Sequence, residues 1–322
     1  MKKIALIYMG GTFGCVGDPL SPMPEQDFLP RLKKTLPLHL DIECFSAPSI
    51  KDSSACTATD WFLLLQFIQS LQLAQYQHFV VIHGTDTLSY AAATLSHFLH
   101  HSSHVILTGS QYPLLNIAGT EVRDFTDALD NLNTALEAVV KVPTGVYVSF
   151  YHQIIHAATV NKIHSTALDA FRGVKYDQEL LQSEQAQFVI QDQHIEKIKG
   201  LNIINWSMLP IEKDQLLENL KTIQNQLPHF LILQGYGTGN LAINHEILQQ
   251  FKQIQQQGCL IILDTQVLFG GMDQRYAISQ WMSDAQIVRN DTHSHAELYA
   301  KILKMYLQYP TSDQWHDHWY SH

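Results

Sequence analysis

The tightest constraint on this chain is an alternation. Up to about residue 150, short apolar runs rich in Val and Ile (Ile4–Tyr8, Phe79–Ile82, Val105–Thr108 and Val146–Phe150) are separated by stretches with helical apolar spacing. Runs this short read as strands buried on both faces, and strands alternating with helices are the pattern of a parallel sheet covered by helices. The helices are expected at Gln26–Leu36, over Trp61, Leu64, Leu65, Ile68 and Leu71 behind a Thr57–Asp60 cap, at Leu88–His100, and at Thr126–Lys141. The Pro-rich stretch Asp18–Pro30 reads as a mobile loop. Past a weakly periodic, Gln/Glu/Lys-rich region the alternation resumes: Leu201–Ile204, Phe230–Gln234, a helix at Asn244–Gln256, Cys259–Leu263, and a final helix from the capping box at Ser294 to Tyr309.

A chain of 322 residues exceeds what one core usually supports. The expected architecture is two α/β domains: a larger N-terminal parallel-sheet domain (1–185), a linker (186–200) and a smaller C-terminal α/β domain (201–322). With 46% hydrophobic and 16% charged residues the chain is globular. A formal charge of -10 argues against nucleic acid, whose affinity comes from cationic side chains, and favours a small polar ligand. No apolar run is long enough to span a membrane. Cys15, Cys44, Cys56 and Cys259 lack paired spacing, so a reducing setting is expected, and Gly10-Gly11-Thr12 interrupts the apolar start before a secretory leader forms.

Chemistry is expected where two strands end. Phe79–Ile82 runs into His83-Gly84-Thr85-Asp86-Thr87, and Ile4–Tyr8 into Gly10-Gly11-Thr12-Phe13-Gly14, so each delivers a threonine through a glycine turn to the strand's carboxyl end, where open α/β sheets bind ligands. Taken singly, these are also a tight connection and a helix cap. Neither has the spacing of a nucleotide-binding glycine loop. His97, His100, His101 and His104 read as exposed residues at a helix end, Asp127 and Asp130 as a helix start and its exposed face, and His316, His318 and His322 as a frayed polar tail.

Together the two stretches resemble the paired signature of the bacterial L-asparaginases. The resemblance continues in order through Asp52-Ser53-Ser54, Thr108-Gly109-Ser110-Gln111, Thr126-Asp127 with Asn131-Leu132, Asn161-Lys162, Tyr236–Asn240 and Thr265-Gln266, and it is to the cytoplasmic branch. It implies hydrolysis of L-asparagine to L-aspartate and ammonia without metal or organic cofactor. Thr12 would be the nucleophile of an acyl-enzyme intermediate, and Thr85, Asp86 and Lys162 a second catalytic group. Ser53 would meet the substrate α-carboxylate and Asp86 its α-ammonium, with Asp52, Ser54, Gly84, Ser110 and Asn240 completing the substrate-binding set. A homotetramer or homodimer is implied, with Asn240 and Asp273 contributed by the neighbouring subunit.

Three departures accompany the matches. No tyrosine lies between Tyr8 and Tyr76, so Leu20 or a neighbour stands where the family's loop tyrosine supports the nucleophile; either another hydroxyl serves or turnover is slow. Leu114–Phe125 is longer than the usual connection, and Gln234 and Val267 replace an arginine and a cysteine of the branch's effector site, so allosteric control is not carried over. The rival readings are a glutaminase or other aspartyl-amide amidase, and a catalytically weak amino-acid binding protein.

Overall fold

A computed structural model of the chain describes residues 2–180, 185–272 and 279–321. It divides into two units, Met1–Glu196 and Lys197–His322.

In the first unit β1 (Lys3–Gly10) is followed by a short antiparallel hairpin, β2 (Cys15–Val16) and β3 (Ser21–Pro22), then by α1 (Glu25–Thr35) and β4 (Asp41–Lys51). The stretch expected to be a loop is thus a hairpin running into a helix. Next come α2 (Ala58–Leu73), β5 (His78–Ile82), α3 (Leu88–Leu99), β6 (His104–Thr108), α4 (Ala128–Val139), β7 (Gly145–Phe150) and β8 (Gln153–His156). The sheet order is β4-β1-β5-β6-β7-β8, parallel throughout except for the β7–β8 pair. That reversal has a local cause. Only Tyr151 and His152 join the two strands, with φ of 47° and 58°, and a two-residue turn with both φ positive returns the chain antiparallel because a parallel crossover needs far more residues. Neither residue is the Gly or Asn that announces such turns. Strand β4 escaped the pattern for another reason: it lies at the sheet edge and buries little more than Ala47, so its apolar alternation is weak.

Helix α2 starts where its cap was expected, with the Thr57 N–H donating to the Asp60 carboxylate at 2.8 Å. Ile4, Leu6, Val80, Ile82 and Ile106 from one sheet face meet Leu132, Leu136 and Val139 of α4, all buried. Each such side chain contributes about 1.5–3 kcal/mol relative to exposure. Two short strands, β9 (Asn161–Lys162) and β10 (Phe171–Arg172), pair antiparallel, and Phe171 packs edge-on against Phe150 at 4.8 Å. Within the stretch read as a linker, Phe188 packs on Phe98 and the Ile190 N–H donates to Gln69, before α5 (Asp192–Ile198).

The second unit repeats the design on a smaller scale. Its strands β11 (Ile203–Ser207), β12 (Phe230–Gly235), β13 (Leu260–Thr265) and β14 (Val288–Arg289) form one parallel sheet in sequence order. Around it lie α6 (Lys213–Asn225), α7 (His245–Gln256), α8 (Ser279–Asp284), α9 (His295–Gln308) and α10 (Ser312–Asp317). Helix α9 starts behind its predicted cap, where Ser294 Oγ accepts from the Glu297 N–H at 3.0 Å. Helix α6 buries fully only Leu216 and Leu220, too sparse a stripe to stand out in the sequence. The expected frayed tail is a correction as far as the described residues go; His322 lies outside them. Thr311 caps α10, Trp315 stacks on Phe230 at 4.4 Å, and the fully buried Trp319 donates its indole N–H to the Arg289 carbonyl at 2.7 Å. Two large aromatic surfaces outweigh the polar residues between them.

Candidate active site

The site begins with backbones in contact. A Cβ on Gly11 would lie 2.4 Å from Gly84 Cα, and one on Gly84 would lie 2.5 Å from Ser53 Oγ. Only glycine permits this approach, so the turns after β1 and β5 and the segment after β4 converge because two side chains are missing. Thr12 opens a 3-10 turn, Thr12–Gly14, directly after this contact, and Thr85 lies directly after it on the other side.

Lys162 completes a cluster of charged and hydroxyl groups. Its Nζ donates to Thr85 Oγ1 and to Asp86 Oδ1, each at 3.0 Å. The lysine arrives on the β9–β10 pair, where it faces Phe171 in register. Thr85 is 7% exposed, whereas the Asp86 side chain is 58% exposed. A pair that open adds little stability, since exposed ion pairs contribute about 0–1 kcal/mol. Its carboxylate is available to a ligand.

Ser53 ties this loop to its neighbour: buried, it accepts from the Asp86 N–H at 3.2 Å through Oγ, and its carbonyl accepts from Thr87 Oγ1 at 2.7 Å. Asp52 and Ser54 are engaged mainly with each other. The Ser54 N–H and hydroxyl donate to Asp52 at 2.8 and 2.5 Å, which holds the Asp52 carboxyl below its ordinary range. Ser110 is buried and donates its hydroxyl inward to the Tyr112 carbonyl at 2.6 Å. Asn240 sits in a turn of the second unit, where its backbone pairs with Tyr236. Asp273 lies outside the described residues.

Among the described residues no side chain bonds to the Thr12 hydroxyl. Leu20 stands half exposed at the tip of the β2–β3 hairpin, but a tyrosine does reach the turn from another direction. A Cβ on Gly14 would lie 1.8 Å from the Tyr8 hydroxyl oxygen, so Tyr8, buried on β1, packs its phenol under the Thr12–Gly14 turn. Burial pushes the Tyr8 hydroxyl pKa up and keeps the group neutral.

The sequence reading missed a supporting layer. Asp127, read as a helix start, is buried; its carboxylate accepts from the backbone N–H groups of Gln111 and Tyr112 and from Asn131 Nδ2 at 2.9–3.0 Å. Asn131 also donates to the Gly109 carbonyl at 3.0 Å and accepts from the Tyr151 N–H at 2.9 Å. The Gln111 side chain donates to the Ala167 carbonyl at 2.8 Å, beyond Lys162. Asp130 is exposed, as expected. The only signal in the sequence is that Asp127 and Asn131 are four apart, the spacing of helix neighbours.

The histidines past α3 bind backbone: His101 pairs with the Thr144 carbonyl and His104 with that of Val142, each at 2.9 Å. Among the described residues no group of three or more His, Cys, Asp or Glu is placed to hold a metal ion. At the altered effector positions, Gln234 pairs with His295 Nδ1 at 2.8 Å, and Val267 is about half exposed.

Comparison with known proteins bears on the site. The asparaginase N-terminal family model matches residues 3–195. An L-asparaginase of Dirofilaria immitis is 29% identical over 74% of this chain, and one of Thermococcus kodakarensis is 26% identical over 74%. A 60 kDa lysophospholipase of Mus musculus is 27% identical over 92% of it. The matched regions span 40%, 71% and 57% of those proteins, respectively. The solved Thermococcus kodakarensis structure, described as a thermostable L-asparaginase, superposes with a TM-score of 0.80 at 22% identity, covering 98% of this chain and 96% of that one; it shows the two to share a fold.

Proposed function

The chain belongs to the asparaginase family, and from that premise we propose that it hydrolyses L-asparagine to L-aspartate and ammonia, with Thr12 as nucleophile. The observation that carries the reading is the Lys162 ammonium within 3.0 Å of both Thr85 and Asp86, on a loop packed backbone to backbone against the turn that bears Thr12.

Thr12 Oγ attacks the side-chain amide carbon, backbone N–H groups of the glycine turns stabilise the oxyanion, and ammonia leaves to give a Thr12 ester that water cleaves. The Thr85 hydroxyl accepts from Lys162, so its own proton points elsewhere and can reach the departing nitrogen, while the proton that Thr12 loses on attack replaces it on Thr85. In the second step the same pair runs in reverse to deprotonate water. The exposed Asp86 carboxylate attracts the substrate ammonium, and Ser53, with Asp52 and Ser54 beside it, lies on the carboxylate side. Gly84 and Ser110 complete the binding set, with Asn240 contributed by the neighbouring subunit. No step calls on a metal or an organic cofactor. The buried phenol of Tyr8 under the turn is the nearest replacement for the absent loop tyrosine.

The test is ammonia release by the native protein beside Thr12→Ala, Thr85→Val and Lys162→Met. Each variant is expected to lose at least ~10^3-fold in kcat, the scale of removing a nucleophile or its proton carrier. Retained turnover in Thr12→Ala reassigns the nucleophile, and no ammonia from asparagine or glutamine at millimolar concentration defeats the reading. Glutamine is the nearest rival substrate, because one methylene changes discrimination by only ~1–3 kcal/mol. A second reading, ester hydrolysis by the same threonine, is motivated by the mouse relative and is tested by fatty-acid release from lysophosphatidylcholine. A cytoplasmic homotetramer or homodimer accompanies the main reading, in keeping with four unpaired cysteines; sedimentation velocity tests the assembly.

A further inference from the structure

Two hydrogen bonds determine the state of His83. The Trp61 indole N–H, which can only donate, points at His83 Nε2 at 3.2 Å, so that nitrogen carries no proton. The proton of the neutral ring then sits on Nδ1, which donates to the Gly84 carbonyl at 2.8 Å. His83 is buried, and burial holds its pKa below the ordinary histidine value. Among the described residues the charged group facing it is Asp60 on α2, whose carboxylate is already paired with Lys51 at 2.7 Å.

This clamp has a consequence one bond further along. In a trans peptide the carbonyl and the following N–H point in opposite directions. With the Gly84 carbonyl drawn toward the buried imidazole, the Thr85 N–H is turned the other way. The next N–H, that of Asp86, is taken by Ser53 Oγ, whereas among the described residues the Thr85 N–H meets no acceptor. A donor left so beside the Thr85 hydroxyl is suited to an oxygen that gains charge during reaction.

We propose that His83 is a positioning residue: clamped by Trp61, it holds the Gly84–Thr85 peptide so that the Thr85 N–H faces the reacting carbonyl oxygen. The proposal rests on the amidohydrolase reading and adds a role to a residue outside the reacting groups.

The experiment is asparagine kinetics of His83→Asn, His83→Gln, His83→Leu and Trp61→Phe, with melting temperatures, beside imidazole 15N NMR of the native protein. An asparagine amide places an N–H near the Nδ1 position, so His83→Asn is expected to stay within about tenfold of native kcat. A glutamine amide reaches the Nε2 position instead. His83→Gln and His83→Leu are expected to lose about 10^2–10^3-fold in kcat, the scale of one oxyanion donor, with KM changed less than about threefold. Trp61→Phe releases Nε2, and the acid limb of kcat/KM is expected to move up toward pH ~6.5. Native kcat in folded His83→Leu overturns the proposal, as does an Asn variant no better than Leu, or losses that merely follow the melting temperature. The NMR is independent of turnover: an Nδ1–H tautomer supports the proposal and an Nε2–H tautomer overturns it. A native protein that hydrolyses no amide defeats the amidohydrolase reading alone, and the clamp is then judged by the tautomer.

Discussion

Both units end a central parallel strand in a carboxylate, and they treat it in opposite ways. After β5 in the first unit, Asp86 keeps most of its side chain in solvent and shares Lys162 with a threonine hydroxyl. At the end of β13 in the second unit, Asp264 is 3% exposed, accepts from Asn290 at 2.8 Å, and has His295 Nε2 3.7 Å from its other oxygen. Parallel-strand ends present polar groups in either case. An open carboxylate beside a lysine and a hydroxyl favours chemistry on a ligand, whereas a buried carboxylate held by Asn290 at one oxygen favours the fold, even with its other oxygen left without a hydrogen bond among the described residues.

The largest test of that contrast pairs Lys162→Met with Asp264→Asn. The first is expected to remove ~10^3-fold of ammonia release with the melting temperature little changed. The second is expected to lower the melting temperature and leave kcat within about threefold, because it alters an internal contact. Equal losses of activity would erase the distinction. Next in size is Trp319→Ala, expected to destabilise by about 3–5 kcal/mol through the cavity it leaves in the second unit, measured by denaturant unfolding.

Acid comes third. His78 stacks on His104 at 4.6 Å, and burial, followed by the charges of His104 and Lys2, lowers its pKa to about 4. Between pH ~6.5 and about 4 the unfolded chain binds a proton that the folded chain refuses, so stability present above pH ~6.5 falls as pH drops through this window, by up to ~3 kcal/mol. His78→Gln should flatten the melting-temperature profile there; an unchanged profile removes His78 as the cause. The smallest effect belongs to the supporting layer. Asp127→Asn places an amide where the carboxylate accepts several N–H groups, and it is expected to cost about 1–3 kcal/mol and to reduce kcat more than it raises KM. A KM effect alone would put Asp127 outside the site's support.

Much of this was legible from local pattern. The strands at Phe79, Val105 and Val146 announce themselves by apolar runs, and the caps at Thr57 and Ser294 by residues spaced three apart. The hairpin at Tyr151-His152 was not, because its residues lack turn chemistry and the conformation is imposed by β8 pairing with β7. Helix α10 was hidden because its polar residues dominate a reading that cannot know Phe230 lies beneath Trp315.

By itself the sequence determined the alternation, the family signature and the identity of the groups at each strand end, since these depend on residue types over a few positions. The tertiary structure alone decided which groups meet. Lys162, a lysine in a polar stretch, reaches Thr85 across 77 positions of sequence. Asp127, at its expected helix start, turns out also to hold a loop, and His83 acquires one proton position because Trp61, 22 residues earlier, points an N–H at its ring. Hydrogen bonds between distant segments carry no periodic trace, so only the folded chain reveals them.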